Sequence, residues 1–234
     1  SGDQSFLEQN FENLHINLIW SKEHPYWLYQ NNNPIDSKLK DSDFTAAVLV
    51  DIPYMVKICE ELGNTDEATY WAQELNNYTQ NYYGWNFNDG HAVEIYPDNM
   101  GHTLWVTKGL YIKQLDEQYA DMLMERFIEN FNPDKSFGGF TCVKVEQIMY
   151  TAWGLADRGH MDLAKQLLEV SIRDIVRSRF LAEAYDPTEP PTATGVRPSI
   201  FGMSQLISSV WMKCGYRYDS GDIVQVPELS IGTV

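Results

Sequence analysis

The sequence predicts an all-α protein: helical hairpins over most of its length, then a short irregular tail with β character. Three observations predict this. Apolar residues recur at i, i+3, i+4 and i+7 over long stretches, the period of a helix that buries one face. A turn signature repeats, Gly63-x-x-Asp66-x-Ala68 returning as Gly159-x-x-Asp162-x-Ala164, 96 residues later. Residues 215–234 lose the helical period and carry β-prone patches such as Ile223-Val224-Gln225-Val226.

The elements follow in order. Residues 6–20 read as a helix because Phe6, Leu7, Phe11, Leu14, Leu18 and Ile19 share one face. Residues 21–43 then form a long loop dense in aromatic and polar groups, a length and composition typical of functional loops. A second helix covers 44–62, with Ser42 or Asp43 as N-cap, a kink or break at Pro53 and a stop at Gly63. Residues 65–83 close the first hairpin. A loop over 84–99 carries Trp85, Asp89-Gly90, His91, Glu94 and Asp98. Helices are expected over 103–114 and 117–131, and a loop over 133–140 marked by Phe137-Gly138-Gly139-Phe140. Residues 143–156 and 161–179 make another hairpin, and 199–214 the last helix.

In each repeated turn the Gly closes one helix and the Asp sits near the positive start of the next. Hairpins repeated in this way, with loops between them, describe an α/α toroid or solenoid. The 234 residues suffice for a single domain over 1–234, and at 44% hydrophobic content a packed core is within reach.

A net charge of −16 repels polyanions, so neither nucleic acid nor an anionic membrane is an expected partner. No run approaches the roughly 18 apolar residues of a membrane span. Cys59, Cys142 and Cys214 are odd in number, distant in sequence and set beside apolar patterns. They read as buried thiols, not as a disulfide framework. The chain opens Ser1-Gly2 without a Met and with no signal peptide, as a segment cut from a longer protein would, and it names no cellular location.

One stretch points to chemistry. Leu181-Ala182-Glu183-Ala184-Tyr185-Asp186-Pro187 breaks a helical pattern, and Gly195 and Phe201-Gly202-Met203-Ser204 follow. By composition alone Glu183 is a solvated loop carboxylate. The stretch resembles the Glu-x-Tyr-Asp/Asn-Pro…Gly…Phe-Gly-Trp-Ser/Thr segment of the trehalases, processing α-glucosidases and mannosylglycerate hydrolases. Those are inverting glycosidases built as six-hairpin (α/α) toroids. The resemblance implies that Glu183 is the catalytic base and that the substrate is an α-linked glucoside or mannoside. The chain shows about eight helices where six hairpins need twelve. It would then be the C-terminal two-thirds of a ring, incomplete as it stands. Uncovered apolar helix faces would drive self-association into a homo-oligomer.

Inversion needs a second carboxyl group, protonated, across the scissile bond and about 6.5–9.5 Å from the base. In the resembled enzymes this acid precedes a helix containing Val-Asp-Leu-Asn. Val50-Asp51-Ile52-Pro53 resembles that helix, and the best upstream match for the acid is Asp36, in Pro34-Ile35-Asp36-Ser37. Asp41 and Asp43 compete for the role, and Asp36 also reads as a turn residue after Pro34. Asp51 reads as structural. Trp20, Tyr26, Trp27, Trp85, Trp105 and Tyr185 are candidate sugar-binding aromatics, with core packing as the alternative for each.

Phe137-Gly138-Gly139-Phe140-Thr141 resembles the Gly-Gly-(Leu/Ile)-Pro-Thr loop of the same enzymes. The Trp-rich segment that follows there is replaced here by Thr141 to Gln147, and Met203 stands in place of a Trp. Glu146 or Gln147 is expected to face the pocket instead. These losses favour a non-catalytic carbohydrate-binding or assembly module derived from such an enzyme; the retained Glu-x-Tyr-Asp-Pro favours the enzyme. The five His form no HxxxH or HxH pair, and no calcium loop, P-loop, GxGxxG or GxSxG occurs. No metal and no cofactor is expected.

Overall fold

The structure, a computed structural model, describes residues 4–26, 29–30, 33–34, 40–93, 103–219 and 222–229. It is mostly helical, with seven α-helices among the described residues, and is compatible with an all-α class. Among the described residues the strands make three two-stranded pairs and one three-stranded sheet. Two compact units are present, residues 1–95 with 112–119, and residues 96–111 with 120–234.

In the first unit α1 (Gln4–Glu23) packs on α2 (Ser42–Glu61), which forms a hairpin with α3 (Thr65–Asn86). Ala46, Leu49, Ile52 and Cys59 of α2 and Trp71, Tyr78 and Tyr82 of α3 are buried between them. The N-cap of α2 is Asp41, not Ser42 or Asp43, because its carboxylate already reaches the Phe44 N–H, at 2.9 Å. Ser42 is itself buried in the first turn.

Pro53 does not break α2. It removes the N–H that would donate to the Leu49 carbonyl, and the Gln114 Nε2 donates to that carbonyl instead, at 3.1 Å. The helix therefore continues to Glu61 without an orphaned acceptor. The expected loops hold two short hairpins, β1–β2 (Tyr29–Gln30 and Asn33–Pro34) and β3–β4 (Phe87–Asn88 and His91–Ala92).

The second unit repeats the hairpin. Most of α4 (Glu117–Asn130) belongs to it, followed by α5 (Val145–Asp157) and α6 (Met161–Ser178). The α2–α3 and α5–α6 turns are the same motif. Gly63 N–H donates to Glu60 O and Asn64 N–H to Cys59 O; Gly159 N–H donates to Ala156 O and His160 N–H to Leu155 O. Both glycines have positive φ, 72° and 84°, the left-handed close of a Schellman-type end.

The helix expected over 103–114 is absent. Thr107–Tyr111 is a single 3-10 turn lying against α5. Gly154 permits the approach, since a Cβ there would lie 2.4 Å from the Leu110 carbonyl carbon. Arg158 Nε donates to Leu110 O at 3.1 Å and satisfies the turn.

A three-stranded antiparallel sheet joins β5 (Val143–Lys144), β6 (Ala184–Asp186) and β7 (Thr192–Thr194), with β6 in the middle. Ser199 caps α7 (Ile200–Lys213), its Oγ accepting from Gly202 N–H at 3.1 Å. The tail forms the hairpin β8–β9 (Tyr216–Asp219 and Asp222–Gln225). Arg217 anchors it on Asp157 and lies over the Trp153 ring. All three cysteines are free. Cys59 is buried, Cys142 is half-buried and Cys214, which falls on the outer end of α7, is exposed. Among the described residues no helix is long and apolar enough to cross a membrane.

Candidate functional site

Glu183 lies between the end of α6 and the central strand β6. Its N–H donates to Val196 O at 3.0 Å, and its Oε2 accepts from Val196 N–H at 3.2 Å. Gly195 makes this clamp possible. It has φ +69°, and a Cβ there would lie 2.7 Å from Glu183 Oε2. The carboxylate is therefore gripped on one oxygen by the main chain while the residue stays half-exposed. Glu183 Oε1 has no hydrogen bond to any described residue, which leaves it able to take a proton from water.

The next residues brace that turn. Tyr185 is fully buried, its hydroxyl accepting from Ala182 N–H at 2.9 Å and donating to Phe180 O at 3.0 Å. Burial pushes its phenol up, against the opposing pull of the Ala182 hydrogen bond. A sugar cannot reach this ring as placed. Its position shapes the Glu183 turn from inside, stacked on Phe137 at 5.1 Å.

Phe137 is held in turn by Asp174. This carboxylate, with no exposed surface, accepts from Phe137 N–H at 2.8 Å, from Arg173 at 2.9 and 3.0 Å, and from Arg177 at 3.1 Å. Burial alone would raise its pKa; the hydrogen bonds from Arg173, the Phe137 amide and Arg177 outweigh that and hold it below the usual carboxylate range. Arg177 also pairs with Glu189, which accepts from Ser136 Oγ at 3.1 Å. Helix α6, the 136–139 loop and the segment after β6 are thus tied to one buried charge.

Lys144 and Asp186 lie on the same small sheet, and Cys142 immediately precedes it. Cys142 N–H donates to Asp186 Oδ1 at 3.4 Å. Burial raises the Cys142 thiol; Lys144 opposes the rise, and Asp186 and Glu183 add to it. Lys144 Nζ stands 5.1 Å over the Trp105 ring. Trp105 is itself buried, so the ammonium, not solvent, meets that face. Gln147 is fully buried and accepts from Lys144 N–H at 3.2 Å, and Glu146 is buried as well.

The first unit assembles a second aromatic group. Lys40 Nζ lies 3.5 Å from the Tyr26 ring centroid and 5.4 Å from that of Trp85, drawing the two candidate aromatics around one cation. Trp20 is exposed and stacks on His24 at 4.2 Å. Asp41 is committed as the α2 cap, and Asp51 is exposed on the outer face of that helix. Asp36 and Trp27 lie outside the described residues, as do Glu94, Asp98 and His102. Among the described residues no group of His, Cys, Asp and Glu is arranged to hold a metal ion.

Sequence reasoning passed over Asp174 and Lys144. Asp174 had a visible signal, an acidic residue beside the apolar stripe Ala164, Leu167, Leu168, Ile175 of α6 with Arg at −1 and +3. Lys144 had none, because its meaning depends on Trp105, far away in sequence. No protein-family model matches the chain, and no curated protein matches it.

Proposed function

We propose that the chain is an inverting glycoside hydrolase for an α-linked glucoside or mannoside, with Glu183 as general base and Asp36 as general acid, on hairpins of an α/α toroid. One observation carries the reading: the clamp of Glu183 between Gly195 and Val196 N–H, with Oε1 making no hydrogen bond to any described residue. A general base must be aimed at its water and keep one oxygen available. Two hairpins with the same turn hydrogen bonds support a repeat architecture. In this mechanism Asp36 protonates the departing oxygen, and Glu183 draws the proton from a water attacking the opposite face of the sugar.

A second reading, a carbohydrate-binding module without turnover, is favoured by a different observation. Tyr185 is in the core, Lys144 covers Trp105, and Met203 stands where the resembled enzymes carry a Trp. The test is hydrolysis of a panel of α-glucosides and α-mannosides by wild type and Glu183→Gln. The variant should keep its circular dichroism and its sugar affinity and lose about 10²–10⁴-fold in kcat. Sugar binding by calorimetry without turnover of any panel member would give the binding-module reading the better claim.

A further inference from the structure

Phe137 holds a backbone conformation that a phenylalanine rarely adopts. Its φ is 49° and its ψ 29°, the left-handed region, which is disfavoured for a bulky side chain. A strained residue persists only where its surroundings over-determine it. Asp174 accepts from the Phe137 N–H at 2.8 Å, and the Phe137 ring stacks on Tyr185 with centroids 5.1 Å apart. Gly138, left-handed as well at φ 67°, closes the other side, because a Cβ there would lie 2.6 Å from the Phe131 ring.

Tyr185 carries the contact on towards Glu183. Its hydroxyl accepts from Ala182 N–H and donates to Phe180 O, and both groups belong to the main chain of the turn that leads into Glu183. The same turn is held from its other side. Ser199 N–H donates to Leu181 O at 3.0 Å, and Glu183 N–H donates to Val196 O at 3.0 Å. Asp174, Phe137, Tyr185 and Ala182 are all buried, so water does not interrupt the series. A pair of stacked core rings requires neither a left-handed phenylalanine nor a buried carboxylate, and each is costly by itself. What the two together fix is the place of the Tyr185 hydroxyl under the turn.

We propose that Asp174, Phe137 and Tyr185 are positioning residues for Glu183. The carboxylate held by Arg173 and Arg177 locks the Phe137 backbone, and the Phe137 ring locks Tyr185. The Tyr185 hydroxyl then sets the turn from which Glu183 Oε2 meets Val196 N–H. The geometric half stands alone; its consequence for turnover rests on the reading of Glu183 as general base.

The Val196 amide tests it. Its N–H donates to Glu183 Oε2, so in a proton–nitrogen NMR titration its proton should shift as Glu183 takes up a proton. That step should vanish in Glu183→Gln, which assigns it. Tyr185→Phe keeps the stacked ring and removes only the hydroxyl; Asp174→Asn keeps the size and removes the charge. Each should lose most of the Val196 step with unchanged circular dichroism, and Tyr185→Phe decides alone if Asp174→Asn does not fold. On a glycoside that wild type hydrolyses, Tyr185→Phe should lower kcat about tenfold, part of the roughly 10²-fold cost of a 1 Å misplacement. KM should stay near the wild-type value, because no group that meets the substrate has changed. A full Val196 step in Tyr185→Phe would overturn the proposal whatever the rates, and so would a lost step with unchanged kcat. A step lost in both variants of a protein that hydrolyses no glycoside would uphold the positioning and overturn the reading of Glu183 as a base.

Discussion

Gly195 and Glu183 are fitted to one another. A Cβ at 195 would lie 2.7 Å from Glu183 Oε2 and 3.0 Å from Glu183 Cβ, while the following amide, Val196 N–H, donates to the same oxygen. The backbone at Gly195 is left-handed as well. A side chain is opposed there twice, by conformation and by the carboxylate it would strike.

Gly195→Ala should therefore destabilise the protein by about 1–2 kcal/mol through the left-handed backbone alone. It should also push Glu183 out of its clamp. If Glu183 is the base, kcat on the best substrate falls about 10²-fold, the scale of a 1 Å misplacement. Urea unfolding and initial rates measured together check both halves. An alanine variant with unchanged kcat would mean that the Glu183 position does not govern turnover.

How much of this was legible in the sequence depended on how local the signal was. Gly63 and Gly159 announced their turns because a helix end is written in a few adjacent residues. The 103–114 segment misled because Thr103 to Ile112 are all buried. A helix shows its period only when one face is wet, and here no face is. The sheet around Glu183 was invisible for another reason. Val143, Tyr185 and Ala193 meet across strands of two or three residues, too short to show alternation. The Glu183 segment itself stood out by its wording, and the Asp174 network that braces it did not.

Gln114 and Pro53 should be coupled through the Leu49 carbonyl. Gln114→Leu removes the donor that replaces the missing proline N–H and should cost about 1–2 kcal/mol, the penalty of a partly buried acceptor left unmade. Pro53→Ala restores the natural donor for that carbonyl. In the alanine background Gln114→Leu should cost about 1 kcal/mol less. Thermal or urea unfolding of the four proteins measures the coupling; equal costs in both backgrounds would separate the two residues.

Asp174 should make stability pH-dependent at the acid end. Its folded pKa is depressed, so its contribution is fully present above the unfolded carboxylate value of about 3.9. The contribution is lost as pH falls through the lower folded value. Asp174→Asn should cost about 3 kcal/mol at pH 7, the low end for breaking a buried ion pair, because both guanidiniums reach solvent. From about pH 5 downward the wild type should progressively lose its advantage, and the two unfolding curves should draw together. Curves that stay parallel over that range would show that the charge on Asp174 is not what stabilises the loop.

The two carboxylates assigned to catalysis should fail differently. Glu183→Gln removes the group that activates water, so every substrate suffers whatever its leaving group. Asp36→Asn removes the proton given to the departing oxygen, so a substrate whose leaving group departs as a stable anion should lose much less. The ratio of rates on activated and unactivated α-glycosides should therefore rise sharply in Asp36→Asn and stay near the wild-type value in Glu183→Gln. Proton NMR in the first minutes of the wild-type reaction should show the β-anomer released from an α-linked substrate, because water enters opposite the leaving group in a single displacement. Release of the α-anomer would require a covalent intermediate, with Glu183 or another carboxylate bonded to the sugar, and the assignment of Glu183 as a base would fall with it.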